Sequence, residues 1–313
     1  MNHLQQGYIG PSERFRGRVA LITGAGRGIG EAIAIQFAAQ GAHVVLCART
    51  RSELESVAGH IRTSGGLAQV VACDVADPAQ VSKLVKSTLE TSRRIDILVN
   101  AAGIYGPIGP IWEVGTEEWK RAIDINLYGT FLVCQSVVPH MIAARKGAII
   151  NFSGGGATAP LPRFSAYGVS KAAVIRLTET LAEEVREYNI RVNAIAPGAI
   201  DTRLQDEAIA AGARAGALGD RIKRMRDTGE GATPISVPAA LAVFLASESA
   251  RGLTGKLISA PHDKWENWDD QRISEIMSQA WFTLRRIDEF TLRPLLEGSS
   301  AVSASHEKVR AGR

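Results

Sequence analysis

The chain has 313 residues, 45% hydrophobic and 22% charged, an ordinary composition for a globular protein and enough chain for one large α/β domain with extensions. A net charge of +4 is too small to argue for a nucleic-acid partner, and the three cysteines, Cys47, Cys73 and Cys134, have no C-x-x-C spacing and read as buried thiols rather than metal ligands or disulfides. No run reaches the roughly 18 apolar residues of a membrane span, and the N-terminal MNHLQQGYIGPSERFRG lacks the apolar core of a signal peptide. The expectation is a cytoplasmic protein with no membrane and no metal.

Residues 1–16 are a polar lead-in. From Arg18 to Thr23 the chain carries the buried strand run Val-Ala-Leu-Ile, and Gly24, Gly26, Gly28 and Gly30 follow as a turn with Arg27 and Ile29 between them. Ile33, Phe37 and Ala38 recur at helical spacing until Gly41, and His43 to Cys47 is a second strand. Strand, glycine turn, helix and strand make a βαβ unit whose glycines let backbone approach a pyrophosphate at a helix N-terminus. At the end of the second strand an acid would accept ribose hydroxyls and repel a 2′-phosphate. This chain has Ala48 there, followed by Arg49, with Arg27 in the turn. Arginine suits a phosphate, so NADP(H) is preferred, with NAD(H) still open.

Further strands are expected at Gln69–Ala72, Ile95–Asn100, Ala148–Phe152, Arg191–Ala196 and Lys256–Ser259, with helical patterns between them. The fold class is therefore α/β, a doubly wound, Rossmann-like parallel sheet with helices on both faces. Ligands in such sheets bind beyond the carboxyl ends of the strands. Tyr167 and Lys171 stand four residues apart in SAYGVSKAA, on one face of a helix. An ammonium beside a phenol favours the phenolate, and such a pair exchanges a proton with a carbonyl or an alcohol.

The glycines fit T-G-x-x-x-G-x-G, and downstream come NAAG from Asn100 to Gly103, Asn126 in DINLYG, Ser153, YGVSK, and NAIAPGAIDT from Asn193 to Thr202. In this order over about residues 17–260 they resemble the short-chain dehydrogenase/reductase superfamily. The resemblance implies a single dinucleotide-binding domain and an Asn-Ser-Tyr-Lys catalytic set. Tyr167 would be the acid/base. Lys171 would lower its pKa and hold the nicotinamide ribose. Asn126 would keep a water and Lys171 in a proton relay, and a serine hydroxyl would polarise the substrate carbonyl. Asp74 and Val75 match the adenine-contacting pair; Asn100, Ala101 and Gly103 match the turn near the adenosine ribose and nicotinamide; Pro197, Gly198, Ile200 and Thr202 match the segment flanking the nicotinamide. Members of the family are commonly homodimers or homotetramers acting on small carbonyl or alcohol substrates.

The serine departs from the pattern. The family commonly reads Asn-hydrophobic-Ser-Ser, with the second serine catalytic thirteen residues before the tyrosine. Here Asn151-Phe152-Ser153-Gly154 places Gly154 at that position and Ser153 fourteen residues before Tyr167. The run Gly154-Gly155-Gly156 leaves two possibilities open: a shift that brings Ser153 into place, or a site without that hydroxyl.

Two segments lie outside the shared core. Leu204–Thr233 is the variable region that covers the substrate in the family; its Arg221, Lys223, Arg224 and Arg226 read as a solvated helix face or as an anion lure. Residues 261–298 form a C-terminal helical extension, in which Ile273, Ile276, Met277, Ala280, Trp281 and Leu284 follow one apolar stripe. It is expected to dock on its own domain or on a second subunit, near the variable segment. Residues 299–313 read as a disordered basic tail. The reading is an NADP(H)-dependent oxidoreductase interconverting a secondary alcohol and a ketone. The rivals are a dinucleotide-binding sensor or assembly protein with little turnover, and a dehydratase or isomerase on the same fold.

Overall fold

The computed structural model describes residues 13–286. The strands and helices in chain order are β1 (Val19–Thr23), α1 (Gly28–Ala39), β2 (His43–Ala48), α2 (Arg51–Thr63), β3 (Leu67–Ala72), α3 (Pro78–Ser92), β4 (Ile97–Asn100), α4 (Thr116–Ile123), α5 (Gly129–Ala144), β5 (Gly147–Phe152), α6 (Ser165–Glu184), β6 (Ile190–Ala196), α7 (Arg203–Ala210), α8 (Gly216–Thr228), α9 (Ser236–Ala246), β7 (Leu257–Ser259) and α10 (Asp270–Ser278).

The seven strands are all parallel, in the order β3-β2-β1-β4-β5-β6-β7. The order reverses between β1 and β4, and this switch point opens a crevice at the carboxyl ends of the strands. Alternation along each strand divides the core. Ala20, Ile22, Val44, Leu46, Val99 and Ile150 face α1, α2 and α9, through Ile33, Phe37, Leu54 and Leu241. Leu21, Val45, Leu98, Ile149 and Val192 face α3 and α5, through Leu84, Val133 and Met141. The central strands β1, β4 and β5 are buried on both faces, which is why they read as continuous apolar runs, whereas the edge strand β3 is only partly buried. β4 starts at Ile97 rather than Ile95. Asp96 accepts the Val19 amide at 2.9 Å and is gripped by Arg94, so the preceding residues form a charged corner.

From Thr116 to Ala144 the chain is one continuous helix, interrupted at Asp124–Tyr128 by a π-helical turn. By length and composition alone this helix contains an 18-residue window apolar enough to cross a membrane, although polar residues interrupt it so that no run of 18 apolar residues occurs in it. Its apolar content is explained by packing, since Leu132, Val133, Val137 and Met141 on α5 lie in the core.

The described part of the extension docks on its own domain. Trp265, Ile273 and Ile276 are buried with α9 and β7 in the first core layer. The apolar stripe does not stay helical to Leu284. α10 ends at Ser278, and the following chain turns to the open edge of β7, where the Leu257 amide donates to the Phe282 carbonyl at 2.7 Å. Lys256 Nζ donates to the carbonyls of Gln279 and Trp281, at 3.0 and 2.9 Å. These tertiary bonds override the periodicity. The first twelve residues of the lead-in, the last part of the extension and the tail lie outside the described residues.

Candidate active site

β1 delivers Thr23 to the switch point. Its hydroxyl accepts the amides of Ala101 and Ala102, at 3.2 and 3.3 Å, and so ties the turn after β1 to the turn after β4. Gly24 lies at φ 66°, and a Cβ there would stand 2.8 Å from the Ala102 nitrogen. A Cβ on Gly30 would stand 2.2 Å from the Gly24 carbonyl oxygen, so only glycine lets α1 start this close to the turn. Arg27 is the residue before α1, and its side chain caps none of the first-turn amides. Those amides face a cavity of about 350 Å³. Uncapped amides at a helix N-terminus, above a floor that tolerates no side chain, fit the pyrophosphate of a nicotinamide dinucleotide.

Most of the expected cofactor residues line this cavity: Gly24, Arg27, Gly28, Ile29, Gly30, Arg49, Asp74, Val75, Ala101, Gly103 and Thr202. Several do not. Asn100 is buried beneath it and donates to Asn151 Oδ1 at 2.9 Å, and Asn151 in turn donates to Thr178. Asn100 therefore belongs to a polar chain between strands rather than to the cleft wall. Pro197 and Ile200 are buried and do not line the cavity, and neither do Tyr167 and Lys171. Gly198 is pressed against Thr233, whose Oγ1 would be 2.3 Å from a Cβ at that position. The cavity also has walls the motif pattern does not mark: Thr50 and Glu53 on one side, Arg203, Leu204 and Glu207 on the other. Glu53 and Arg203 are charges at the starts of α2 and α7, and only the fold brings them together.

α6 carries Tyr167 and Lys171, both buried. Lys171 Nζ donates to the Phe152 carbonyl at 2.8 Å and lies 5.8 Å from the centre of the Tyr167 ring. Asn126 sits in the π-turn. Its Oδ1 accepts the Ile104 amide, and its Nδ2 donates to the Ile104 carbonyl and to Ser170 Oγ, each at 2.9 Å. A Cβ on Gly103 would meet Asn126 Oδ1 at 3.2 Å and Lys171 Nζ at 3.3 Å, so the cleft floor lies between these two polar groups.

Of the two paths open to the serine, the geometry is that of a site without its hydroxyl at the tyrosine. Ser153 is buried, and its hydroxyl donates to the Lys171 carbonyl at 3.3 Å. The residue facing the tyrosine is Gly154: a Cβ there would stand 2.1 Å from Tyr167 Oη. The glycine run does not bring Ser153 into place. The phenol oxygen occupies the space a side chain at 154 would need.

Beyond Tyr167 the packing is apolar. Tyr105, Phe164, Tyr167, Ala208, Ala215 and Ile222 form a buried cluster, flanked by Leu161, Leu204 and Leu218. The Tyr105 ring meets Tyr167 edge-on at 4.9 Å, and its hydroxyl donates to Gln205 at 2.8 Å. On α8, Arg226 is committed to Asp201 and Asp206 at 2.9 and 2.7 Å.

Burial governs the proton affinities here. It pushes the Tyr167 phenol well above its ordinary value, and nearby Tyr105 adds to the effect. Burial also lowers Lys171 to about 8. In this arrangement burial, with Tyr105, sets the direction for Tyr167, while Lys171 Nζ donates to the Phe152 carbonyl. The lowered Lys171 value has a consequence for stability. The unfolded chain holds this proton up to its ordinary value near 10.5, and the folded chain releases it near 8. Folding stability from this group therefore rises with pH across that window. Melting curves of the protein without added dinucleotide, compared with Lys171→Met, are expected to show a smaller gain above pH 8 in the variant.

The chain matches the family model described as short chain dehydrogenase over residues 18–212. It is 38% identical over 242 residues to D-threitol dehydrogenase of Mycolicibacterium smegmatis, covering 77% of this chain and 90% of that protein. An NAD+-bound xylitol dehydrogenase superposes with a TM-score of 0.74 at 30% identity, over 79% of this chain and 98% of the other. A gluconate 5-dehydrogenase from Burkholderia cenocepacia, solved with NADP and tartrate, gives 0.70 at 32% identity, over 79% and 95%. With its sheet order, its glycine turn and its Tyr167–Lys171 helix, the chain belongs to the short-chain dehydrogenase/reductase family and is an NAD(P)-dependent oxidoreductase.

Proposed function

We propose that the protein interconverts a secondary alcohol and a ketone with NADP(H) as its preferred cofactor, and that Tyr167 moves the proton at the substrate oxygen. The observation that carries this reading is the placement of Lys171 beside Gly103 of the dinucleotide cleft, with Tyr167 on the same helix against Gly154 and the buried apolar cluster. The dinucleotide supplies or accepts the hydride. Lys171 and Asn126, flanking Gly103, position the reacting end of the cleft, and Thr23 holds its floor. The apolar cluster of Tyr105, Phe164 and Ile222 packed beside Tyr167 supports a ketone with an apolar flank. Cofactor absorbance followed on a panel of apolar ketones, polyols and sugar acids tests this reading. Turnover confined to the polyols would overturn the apolar-flank assignment, and no turnover on any carbonyl or alcohol would overturn the reaction class.

The NADP(H) preference rests on Ala48 and Arg49 at the cavity wall. Titration is expected to show tighter binding of NADPH than NADH, with the gap narrowed in Arg49→Ala. Equal affinities in the parent protein would overturn it.

The domain is read as residues 17–260 with a C-terminal extension, in a cytoplasmic homodimer or homotetramer. Exposed Tyr128 and Phe131, with rings stacked at 6.1 Å, and exposed Val169 support self-association. A second reading, a dinucleotide-binding protein with little turnover, is favoured by Gly154. Without a hydroxyl facing Tyr167, the site lacks one donor to the substrate oxygen, a loss that typically costs about 10²–10³ in rate.

A further inference from the structure

We infer that Glu53 is a specificity-determining residue that limits the preference for NADPH by withholding Arg27 and Arg203 from a 2′-phosphate. The inference rests on the dinucleotide reading of the cleft. Glu53 Oε1 accepts Arg27 Nη1 at 3.3 Å and Arg203 Nη1 at 3.2 Å. Arg27 comes from the glycine turn on the cleft floor, and Arg203 from the start of α7 on the far wall. Glu53 joins them from α2.

Its position is the important part. A Cβ built on Gly26 would stand 3.1 Å from Glu53 Oε2 and 3.6 Å from Ala48 Cβ. The carboxylate thus fills the corner between the glycine turn and the end of β2. That is the corner in which an acid at position 48 would meet the adenosine ribose. The acid missing from the strand end is supplied from the next helix.

The consequence follows from charge. A 2′-phosphate entering this corner meets a carboxylate, and finds two nearby guanidinium groups already spent on it. A ribose with free hydroxyls meets an acceptor instead. Arg49 takes no part in these ion pairs, so the NADPH preference survives but is reduced. The ion pairs themselves are weak. The side chains of Arg27 and Arg203 are 53% and 66% exposed, so both are free to swing to a phosphate once Glu53 is neutral.

The test is Glu53→Gln, which keeps the shape and removes the charge. Dissociation constants for NADPH and NADH are measured by fluorescence titration of the purified protein without substrate. NADPH is expected to tighten about tenfold while NADH changes by less than about twofold. Adding Arg203→Ala should cancel part of the gain. Glu53→Asp, which withdraws the carboxylate by one methylene, should move NADPH the same way by less, and covers the case in which the glutamine variant does not fold. An unchanged ratio of the two affinities, or a change carried wholly by weaker NADH, would overturn the inference. A parent protein that binds NADH more tightly would overturn the NADP(H) preference and leave the role of Glu53 standing if the ratio still moves. No binding of either dinucleotide by the parent would overturn both.

Discussion

Tyr167→Phe is expected to lower turnover by at least about 10²–10⁴-fold, the usual contribution of a positioned proton donor, while dinucleotide affinity stays within about twofold of the parent. The substitution removes one oxygen and leaves the ring that packs edge-on to Tyr105 and fills the buried cluster beside α7. The oxygen lies against Gly154, where a backbone without a side chain admits it. The fold should therefore be unaffected, and the melting temperature should match the parent. Lys171→Ala is expected to behave differently. Lys171 Nζ anchors to the Phe152 carbonyl at the end of β5 and borders Gly103, so its loss should weaken both turnover and binding. Single-turnover rates and dinucleotide titrations on the two variants separate these effects. Near-normal turnover in Tyr167→Phe would mean that the proton moves through another group.

Gly154 explains why this part of the site was only half legible in the sequence. The spacing to Tyr167 already placed glycine at the family's serine position, but three consecutive glycines left the backbone path undecided. The structure settles it through Ser153, whose amide pairs with the Ile195 carbonyl at 2.9 Å and whose hydroxyl turns to Lys171. β-sheet alternation then puts the next residue, Gly154, toward the tyrosine. The central strands were legible because a sheet covered on both faces needs apolar runs, while β3 and β6 carry polar residues, Gln69 and Arg191 with Asn193, inside theirs. The glycine turn was legible because close backbone approach leaves no alternative residue type. Glu53 was not legible. Its role depends on meeting Arg203, 150 positions away, and no local pattern encodes that distance. The end of α10 was hidden for the same reason. The apolar stripe continues to Leu284, but the edge of β7 and Lys256 draw the chain out of the helix after Ser278. Similarly, the burial that sets the proton affinities of Tyr167 and Lys171 comes from tertiary packing, not from the Y-x-x-x-K spacing.

Truncation after Ala260 is expected to have the largest effect on stability. The segment that follows is part of the core. Trp265 donates its Nε1–H to the Ala260 carbonyl at 3.1 Å and packs against Phe244 of α9, with ring centres 5.5 Å apart. Ile273 and Ile276 are buried in the same layer. Burying one such side chain contributes about 1.5–3 kcal/mol, so three together approach the whole 5–15 kcal/mol stability of a typical domain. The cut would also bare the edge of β7 and leave Lys256 without the carbonyls of Gln279 and Trp281. On α6, Glu179 would lose the Leu284 amide it accepts at 2.7 Å. An uncovered strand edge beside an apolar helix face invites aggregation. The truncated protein should be largely insoluble, or should melt well below the parent. Ile276→Ala gives a graded version: a core cavity of this kind costs about 2–5 kcal/mol, enough to lower the melting temperature clearly while the chain still folds. The described part of the extension contributes no wall to the dinucleotide cavity, but Pro261 lies against Gly198 beside Thr233, at the base of the variable segment. Ile276→Ala is therefore expected to raise KM for the substrate more than it weakens dinucleotide binding. Melting temperature, size in solution and kinetics that all stay at parent values after truncation would show the extension to be an independent appendage.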